Sequence, residues 1–132
     1  MRPVFADTFF YLALLNPRDG SYDAAREWAA RTDLTFVTTE FVLVEVADAL
    51  SAPSARRQSA ALLRTLCQDP CTQIIPLSSF LFEEGLRLYE KRVDKSWSLT
   101  DCISFVVMQR ENVTDALTAD QHFAQAGYRP LL

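Results

Sequence analysis

Short apolar runs alternate with longer amphipathic stretches along most of the chain. Four of these runs consist mainly of apolar and β-branched residues, a composition typical of buried strands. They cover residues 4–6, 34–37, 73–76 and 116–118, and residues 128–132 are predicted as a last edge strand. The stretches between them carry helical patterns or capping signals and are predicted as helices. These helices cover residues 9–15, 22–30, 41–50, 53–67, 79–91 and 98–110.

This alternation of predicted strands and helices favours one fold class. Connections of this kind build a mostly parallel sheet with helices on both faces. We therefore expect a three-layer α/β/α fold with a sheet of four to five strands, in a single domain over residues 1–132. In such a sheet the functional crevice lies beyond the carboxyl ends of the strands. Asp7 directly follows the first strand and Asp120 comes two residues after the strand at 116–118, so both should reach this edge.

The composition excludes several classes of protein. Hydrophobic residues make up 49% and charged residues 23% of the chain, as in ordinary globular domains. The three cysteines do not have the spacing of a metal site, and His122 is the only histidine that could join them. They are expected to be reduced thiols. No secretory signal pattern precedes Asp7, and the apolar runs are too short to span a bilayer. We expect a soluble, cytoplasmic protein that contacts no membrane.

The charge balance limits how the protein could meet nucleic acid. A net charge of −4 argues against a protein that coats nucleic acid by bulk electrostatics, so any contact must be local. The basic residues group in two places, which are Arg56, Arg57 and Arg64, and then Arg87, Lys91, Arg92 and Lys95. Both groups could be solvated helix faces, and one of them could guide a phosphate backbone. The acidic excess could also reflect carboxylates that collect in one place to bind divalent cations.

Asp7 permits two interpretations, because it could cap the next helix or bind a metal ion. Two other chemistries that begin with such an aspartate are disfavoured. A phosphatase of the haloacid dehalogenase type needs a second aspartate two residues later, where this chain has Phe9. A receiver domain needs an acidic pair just ahead of the phosphoacceptor strand, and no such pair is present. Asp7 is therefore a metal-ligand candidate without a nucleophile motif around it.

Glu45 carries the strongest physical argument of the acids, because it lies within the apolar segment 41–47. Its helix face also carries Phe41, Val42 and Ala49, and we expect that face to be largely buried. An unpaired ionised carboxylate there would be costly, so it needs a cation, a hydrogen-bond network or a raised pKa. A bound Mg²⁺ or a buried arginine would each meet this need, and the metal is favoured.

Asp101 and Asp120 each have a structural explanation as well. Asp101 stands three residues after Ser98, which is the spacing of a capping box, and Asp120 could cap the turn that contains His122. A packed or capping role is favoured for His122 over that of a general base. The remaining acids, Asp19 among them, are predicted to be solvated. Asp101 and Asp120 gain a functional meaning only together with the other acids.

Four segments in a fixed order carry a family resemblance. They are Asp7 after the first strand, Glu45 in Val44-Glu45-Val46-Ala47, WSLTDC over 97–102, and TADQHF over 118–123. In order and spacing the chain resembles the PIN domain family, and more narrowly the stand-alone bacterial and archaeal PIN proteins. Many of those are the toxins of VapBC-type toxin–antitoxin pairs. The resemblance covers essentially the whole chain, and WSLTDC with TADQHF is its most distinctive part.

The resemblance implies a Rossmann-like sheet and a metal-dependent endoribonuclease. In the family the acids converge at one end of the sheet and bind one or two Mg²⁺ or Mn²⁺ ions for the hydrolysis of RNA phosphodiester bonds. By position, Asp7, Glu45 and Asp101 match the three common acids, and Asp120 matches the more variable fourth. Thr8 and Thr118 match hydroxyl positions that often support the acidic site.

The resemblance also implies a partner, a small antitoxin that would place an arginine or another side chain against the acids. The residues themselves suggest a homodimer, because the apolar helix over residues 80–88 could pair two copies. One alternative is a non-catalytic binding or regulatory module whose acidic pocket receives a basic protein partner. Metal affinity would distinguish that module from the nuclease.

Overall fold

Five parallel strands form the central sheet of the computed structural model, which describes residues 1–132. In chain order they are β1 (Arg2–Ala6), β2 (Leu34–Thr39), β3 (Thr72–Ile75), β4 (Asp115–Leu117) and β5 (Arg129–Pro130). Their order in the sheet is β3-β2-β1-β4-β5, and every neighbouring pair is parallel. The predicted α/β fold with its parallel sheet is confirmed.

Seven helices connect and flank the strands. They are α1 (Thr8–Leu15), α2 (Tyr22–Ala29), α3 (Glu40–Ala49), α4 (Pro53–Gln68), α5 (Ser79–Lys91), α6 (Leu99–Arg110) and α7 (Gln121–Gln125). The first six agree with the predicted helices to within a residue at each end. The last was predicted only as a turn, because five residues are too few to show a helical period. None of the helices has the length and apolar character that a membrane crossing requires.

The core is centred on β1 and on an aromatic cluster beside it. Val4, Phe5 and Ala6 are fully buried, because other strands flank β1 on both sides and helices cover the sheet. Phe105 of α6 packs edge-on against Phe123 of α7, with ring centroids 4.9 Å apart, and against Trp97 at 5.1 Å. These contacts fix α6, α7 and the segment before α6 relative to one another.

The helices α5 and α6 cross at very close range. A Cβ atom placed on Gly85 of α5 would collide with the Ile103 side chain of α6 and would lie 3.3 Å from the Ile103 Cα atom. Only a residue without a side chain allows this approach. The crossing therefore depends on glycine at position 85.

Asp115 joins three strands at the amino edge of the sheet. Its carboxylate accepts hydrogen bonds from Arg129 Nε at 2.9 Å and from Arg129 Nη2 at 3.0 Å, and a further one from Arg2. Burial acts to raise the pKa of Asp115, but the bonds from Arg129 and Arg2 outweigh it and hold the pKa below its ordinary value. The ionised carboxylate thus stabilises the edge of β1, β4 and β5.

The topology creates a crevice at the opposite, carboxyl edge. From β1 the chain passes to β2 and β3 on one side and later returns to β4 on the other side. The carboxyl ends of β1 and β4 are therefore neighbours, and the Asp7 backbone N–H donates to the Leu117 carbonyl at 3.4 Å. Ligand sites in open parallel sheets form at such a switch point. Asp7 and Thr118 are the first residues beyond these two strands.

Candidate functional site

An acidic pocket of about 350 Å³ opens at the carboxyl ends of β1 and β4. We use this name for the cavity lined by Asp7, Glu45, Asp101 and Asp120. The structure thus brings all four predicted acids to one cavity, from the ends of two strands and from two helices. Its wall also contains residues of α1, of the segment before α6 and of α7, which are Thr8, Phe9, Leu12, Ser96, Ser98 and His122.

Asp7 is the most buried of the four acids, with 4% of its surface exposed. It holds the N-cap position of α1, yet its side chain makes no capping hydrogen bond, so capping alone does not explain it. Its Oδ2 atom instead accepts a hydrogen bond of 2.9 Å from the Thr118 hydroxyl. Burial raises the pKa of Asp7 to about 7, because hydrogen bonds lower it by less and nearby acids raise it further. An ion of opposite charge is what would favour the ionised form.

Glu45 is less buried than the apolar residues around it in the sequence predict. It is only partly buried, and Ala49 on the same helix face is exposed, so the predicted apolar enclosure is wrong. The reason is that this face of α3 opens onto the acidic pocket, where solvent reaches the carboxylate. The hydroxyl of Thr8 donates a hydrogen bond to Glu45 Oε1, which fixes the carboxylate from α1.

Asp101 combines a structural role with a place in the pocket. It forms the predicted capping box, since Ser98 Oγ accepts from the Asp101 N–H at 3.0 Å and Asp101 Oδ2 accepts from the Ser98 N–H at 3.1 Å. The same Oδ2 atom lies 3.0 Å from His122 Nδ1. The Asp101 carboxylate thus caps α6 and also lines the acidic pocket.

Asp120 and His122 form one turn against Asp101. Asp120 Oδ1 accepts from the His122 N–H at 2.9 Å, so the predicted capping role is present. The His122 ring was expected to pack or cap, but its Nδ1 atom lies 3.4 Å from Asp120 Oδ1 and points to two acids. The potential ligand atoms of Asp101, Asp120 and His122 all lie within 4.8 Å of one another. His122 is therefore a wall residue of the acidic pocket.

Thr118 supports two acids at once. While its hydroxyl donates to Asp7, its oxygen accepts from the Asp120 N–H at 3.0 Å. Thr8 and Thr118 were predicted to support the acids, and each now has a named carboxylate as its hydrogen-bond acceptor.

Asp19 also lines the acidic pocket, although it was predicted to be solvated. Its Oδ1 atom accepts from the Ser21 N–H at 2.8 Å, which orders the turn between α1 and α2. No local pattern around Asp19 indicates this position, because it depends on how the turn folds back over α1.

The donor set of the acidic pocket fits a divalent cation. Five carboxylates, those of the four predicted acids and of Asp19, share one cavity, and no lysine or arginine lines it. The buried arginine considered as an alternative partner of Glu45 is therefore absent. Magnesium and manganese prefer carboxylate oxygens and need only a few protein ligands beside their waters. The arrangement can collect positive charge next to a phosphate group that enters the cavity.

Comparison with known sequences decides the family. The family model of the PIN domain matches residues 4–127. The chain belongs to the PIN domain family. The resemblance carried by the four ordered acids is thereby confirmed.

Relatives of this PIN domain include a curated protein named 23S rRNA-specific endonuclease VapC20, from two strains of Mycobacterium tuberculosis. It is 25% identical over 126 residues, which cover 95% of each chain. The crystal structure of VapC20 superimposes with a TM-score of 0.85 at 24% identity, again over 95% of both chains. That structure is described as a toxin that cleaves the sarcin-ricin loop.

Two more distant structures share the PIN fold. FitAcB from Neisseria gonorrhoeae has a TM-score of 0.66 at 16% identity and covers 98% of this chain and 96% of its own. VapBC2 from Rickettsia felis, bound to a DNA fragment from its promoter, has a TM-score of 0.67 at 20% identity and covers 98% and 97%. Both confirm the fold of the chain over nearly its full length.

Proposed function

We propose that this PIN domain is an endoribonuclease that needs a divalent cation, Mg²⁺ or Mn²⁺, and hydrolyses phosphodiester bonds in RNA. The observation that carries the proposal is the convergence of Asp7, Glu45, Asp101 and Asp120 on one pocket without a cationic side chain. A relative of similar length named as a 23S rRNA endonuclease supports RNA as the substrate class.

The four acids would hold the cation, with Thr8 and Thr118 as their supports. When bound, the ion stabilises the charge that develops on the phosphate and makes a nearby water more acidic. Before it binds, the carboxylates repel the RNA backbone, so activity should depend steeply on the cation. Thr118 holds Asp7 and the backbone of Asp120 in one arrangement, and Thr8 holds Glu45. The ligands are therefore oriented before a cation binds, which reduces the cost of assembling the site.

Cleavage of RNA by the purified protein tests this function. Ribosomal RNA is the first substrate to use, in Mg²⁺, in Mn²⁺ and in EDTA. We expect cleavage only with a cation, and a loss of more than about 100-fold in Asp7→Asn and Glu45→Gln. Asp48→Asn is the matched control, because Asp48 is an exposed acid on the same helix as Glu45. Equal cleavage in EDTA, or full activity of Asp7→Asn, would refute the proposal.

The alternative of a non-catalytic module predicts a different titration. Isothermal titration with Mn²⁺ should show binding that Glu45→Gln weakens and Asp48→Asn leaves unchanged. Absence of Mn²⁺ binding by the wild-type protein would favour the module that receives a basic protein partner.

We also propose that a small antitoxin protein silences the enzyme. The similarity to VapC20, a toxin by its description, and to VapBC2 supports this partner. Expression of the chain alone should arrest growth, and co-expression with the product of a short neighbouring reading frame should relieve the arrest. Continued growth of cells that contain active, soluble protein would contradict the toxin role.

A homodimer is the proposed assembly. Large apolar side chains stand exposed on and near α5, including Leu77, Phe80 and Phe82, each about half exposed to solvent. An exposed group of this kind is typical of an interaction surface. Light scattering after gel filtration should give about twice the mass of the chain, and Phe82→Ser should shift it towards the monomer. A monomeric wild-type protein would refute this assembly.

A further inference from the structure

A second cavity, of about 380 Å³, lies beside the acidic pocket. We call it the Trp97 cavity, after the residue that links it to the acidic pocket. Its walls come from α5, α6, α7 and the segment between α5 and α6. The lining residues used below are Arg87, Lys91, Arg92, Trp97, Gln109 and Gln125. The proposed reaction assigns no role to them.

Three chain segments line both cavities: residues 96–98, α6, and α7 through His122 and Gln125. Ser96 and Ser98 line the acidic pocket, while Trp97 between them lines the second cavity. On α6, Asp101 lines the first cavity and Phe105, one helical turn further on, lines the second. One turn advances about 5–6 Å along a helix axis, so the residues of α6 that line the two cavities lie close enough to contact neighbouring nucleotides of one RNA strand.

The charge of the Trp97 cavity is opposite to that of the acidic pocket. Three cationic residues line it, Arg87, Lys91 and Arg92, and Glu84 is the one acid in the lining. Arg92 is paired with Asp94, so the free positive charge comes from Arg87 and Lys91. Arg87 reaches Glu83 only at 3.6 Å, and Lys91 forms no ion pair. In a chain of net charge −4, this is a local positive surface on which a phosphate would be attracted.

The cavity also presents flat and amide groups suited to a nucleobase. The Arg92 guanidinium lies 4.9 Å from the centre of the Trp97 ring, and hydrogen bonds of 3.0 and 3.2 Å to Asp94 hold it there. Gln125 Oε1 accepts from Trp97 Nε1 at 3.0 Å, which leaves the Gln125 amide nitrogen free to donate. The exposed Gln109 side chain makes no hydrogen bond within the chain. Guanidinium planes stack on unpaired bases, and amides bond to their edges.

We infer that the Trp97 cavity binds an unpaired nucleotide next to the scissile phosphodiester, with Arg87 and Lys91 at the phosphate and Arg92, Gln109 and Gln125 at the base. This inference rests on the proposed ribonuclease function and extends it to a substrate-positioning subsite. Single-stranded RNA is favoured over an acidic peptide, because the cavity combines cations with a guanidinium plane and two amides. The cavity contributes binding and leaves the chemistry to the acids.

The double variant Arg87→Gln, Lys91→Gln tests the subsite. Its matched control is Arg57→Gln, Arg64→Gln, which removes the same charge from exposed positions on α4, away from both cavities. With a structured RNA substrate we expect KM to rise about 10-fold in the test variant while kcat changes little, because the lost contacts are made to phosphate. For binding to a labelled single-stranded RNA in EDTA, the slope of log K against log salt concentration should become shallower by about one to two. Gln109→Ala should reduce discrimination among bases at one flanking position.

The outcomes distinguish failure of the proposed subsite from failure of the proposed ribonuclease function. If the wild-type protein does not cleave RNA, the proposed function itself fails. If it cleaves, and the test variant matches the control in KM and in salt dependence, the subsite is refuted while the function stands. Binding of polyglutamate that is lost in the test variant, with RNA binding unchanged, would make the cavity a protein-docking site and would also overturn the inference. Unfolding curves of all variants should superimpose, since the substituted side chains are exposed.

Discussion

The hydroxyl of Thr118 donates a hydrogen bond of 2.9 Å to Oδ2 of Asp7 and so joins the end of β4 to the end of β1. The two residues are 111 positions apart in the sequence. Because Asp7 is almost completely buried, this bond compensates part of the cost of its ionisation. Thr118 is thus a positioning residue for the proposed metal ligand.

Replacing Thr118 by valine should impair the reaction without removing an acid. Thr118→Val keeps the shape of the side chain but loses the hydroxyl, and loss of a hydrogen bond to a metal ligand costs about 10-fold to 100-fold in metal affinity or activity. The measurement is the rate of RNA cleavage as a function of Mn²⁺ concentration. Thr118→Ser should retain most of the activity, and equal rates for the valine and serine variants would contradict this role.

Asp7 should destabilise the metal-free protein at neutral pH. Its pKa in the fold is about 7, against an ordinary value of 3.8, so the folded state holds the proton more tightly than the unfolded state does. The free energy of unfolding therefore falls as the pH rises from about 4 to 7, and this loss is complete above pH 7. Asp7→Asn removes the effect and should be more stable than wild type at pH 8 in EDTA, by about 1–3 kcal/mol.

Chemical denaturation of the wild type and of Asp7→Asn at pH 4, 6 and 8 in EDTA measures the difference in their free energies of unfolding. The difference should be near zero at the lowest pH and largest at the highest. A variant that is less stable than wild type at pH 8 in EDTA would show that Asp7 is not held in a desolvated state.

Gly85→Ala should destabilise the fold. The new Cβ atom would collide with the Ile103 side chain, and the close crossing of α5 and α6 would have to open. Overpacking of this kind costs about 1–3 kcal/mol. Gly20→Ala is the control, because a Cβ atom at Gly20 would meet nothing within 4 Å. Denaturant unfolding measures both variants, and equal stability of the two would show that the helices do not cross so closely.

Asp115 should protect the fold against acid. Its pKa is lowered in the folded state, so its contribution is present above its ordinary pKa of 3.8 and is lost as the pH falls through the lower folded value. Asp115→Asn should cost about 1 kcal/mol at pH 7, since the partly exposed arginines are screened by solvent. The difference in free energy of unfolding between Asp115→Asn and the wild type should disappear in strong acid. Asp33→Asn, at an exposed ion pair, should leave the unfolding curve nearly unchanged.

Much of the fold follows from local signals in the chain. The strands and six helices are visible as apolar runs with caps, and Ser98 with Asp101 forms the capping box that its spacing predicts. Parallel order follows from the alternation of elements, and the carboxyl ends of β1 and β4 bring Asp7 and Asp120 to one edge. The position of these two acids was thus predictable from strand ends alone.

The missed features depend on contacts between distant segments. Helix periodicity shows which residues neighbour Glu45 on α3, but not that this face borders a cavity, so its burial was overestimated. The His122 ring reaches Asp101 only because α7 packs against α6 through Phe123 and Phe105. Asp19 enters the pocket through the path of a turn. None of these contacts leaves a pattern within a short window of sequence.

The capping box has a practical consequence for trapping a complex with intact RNA. Asp101 Oδ2 both holds the first turn of α6 and lies against His122, so a substitution there disturbs the start of a buried helix together with the pocket. Glu45 caps nothing and meets only a hydroxyl of α1. An inactive variant that keeps the native fold and binds intact RNA, for pull-down or cryogenic electron microscopy, is therefore better made at Glu45 than at Asp101.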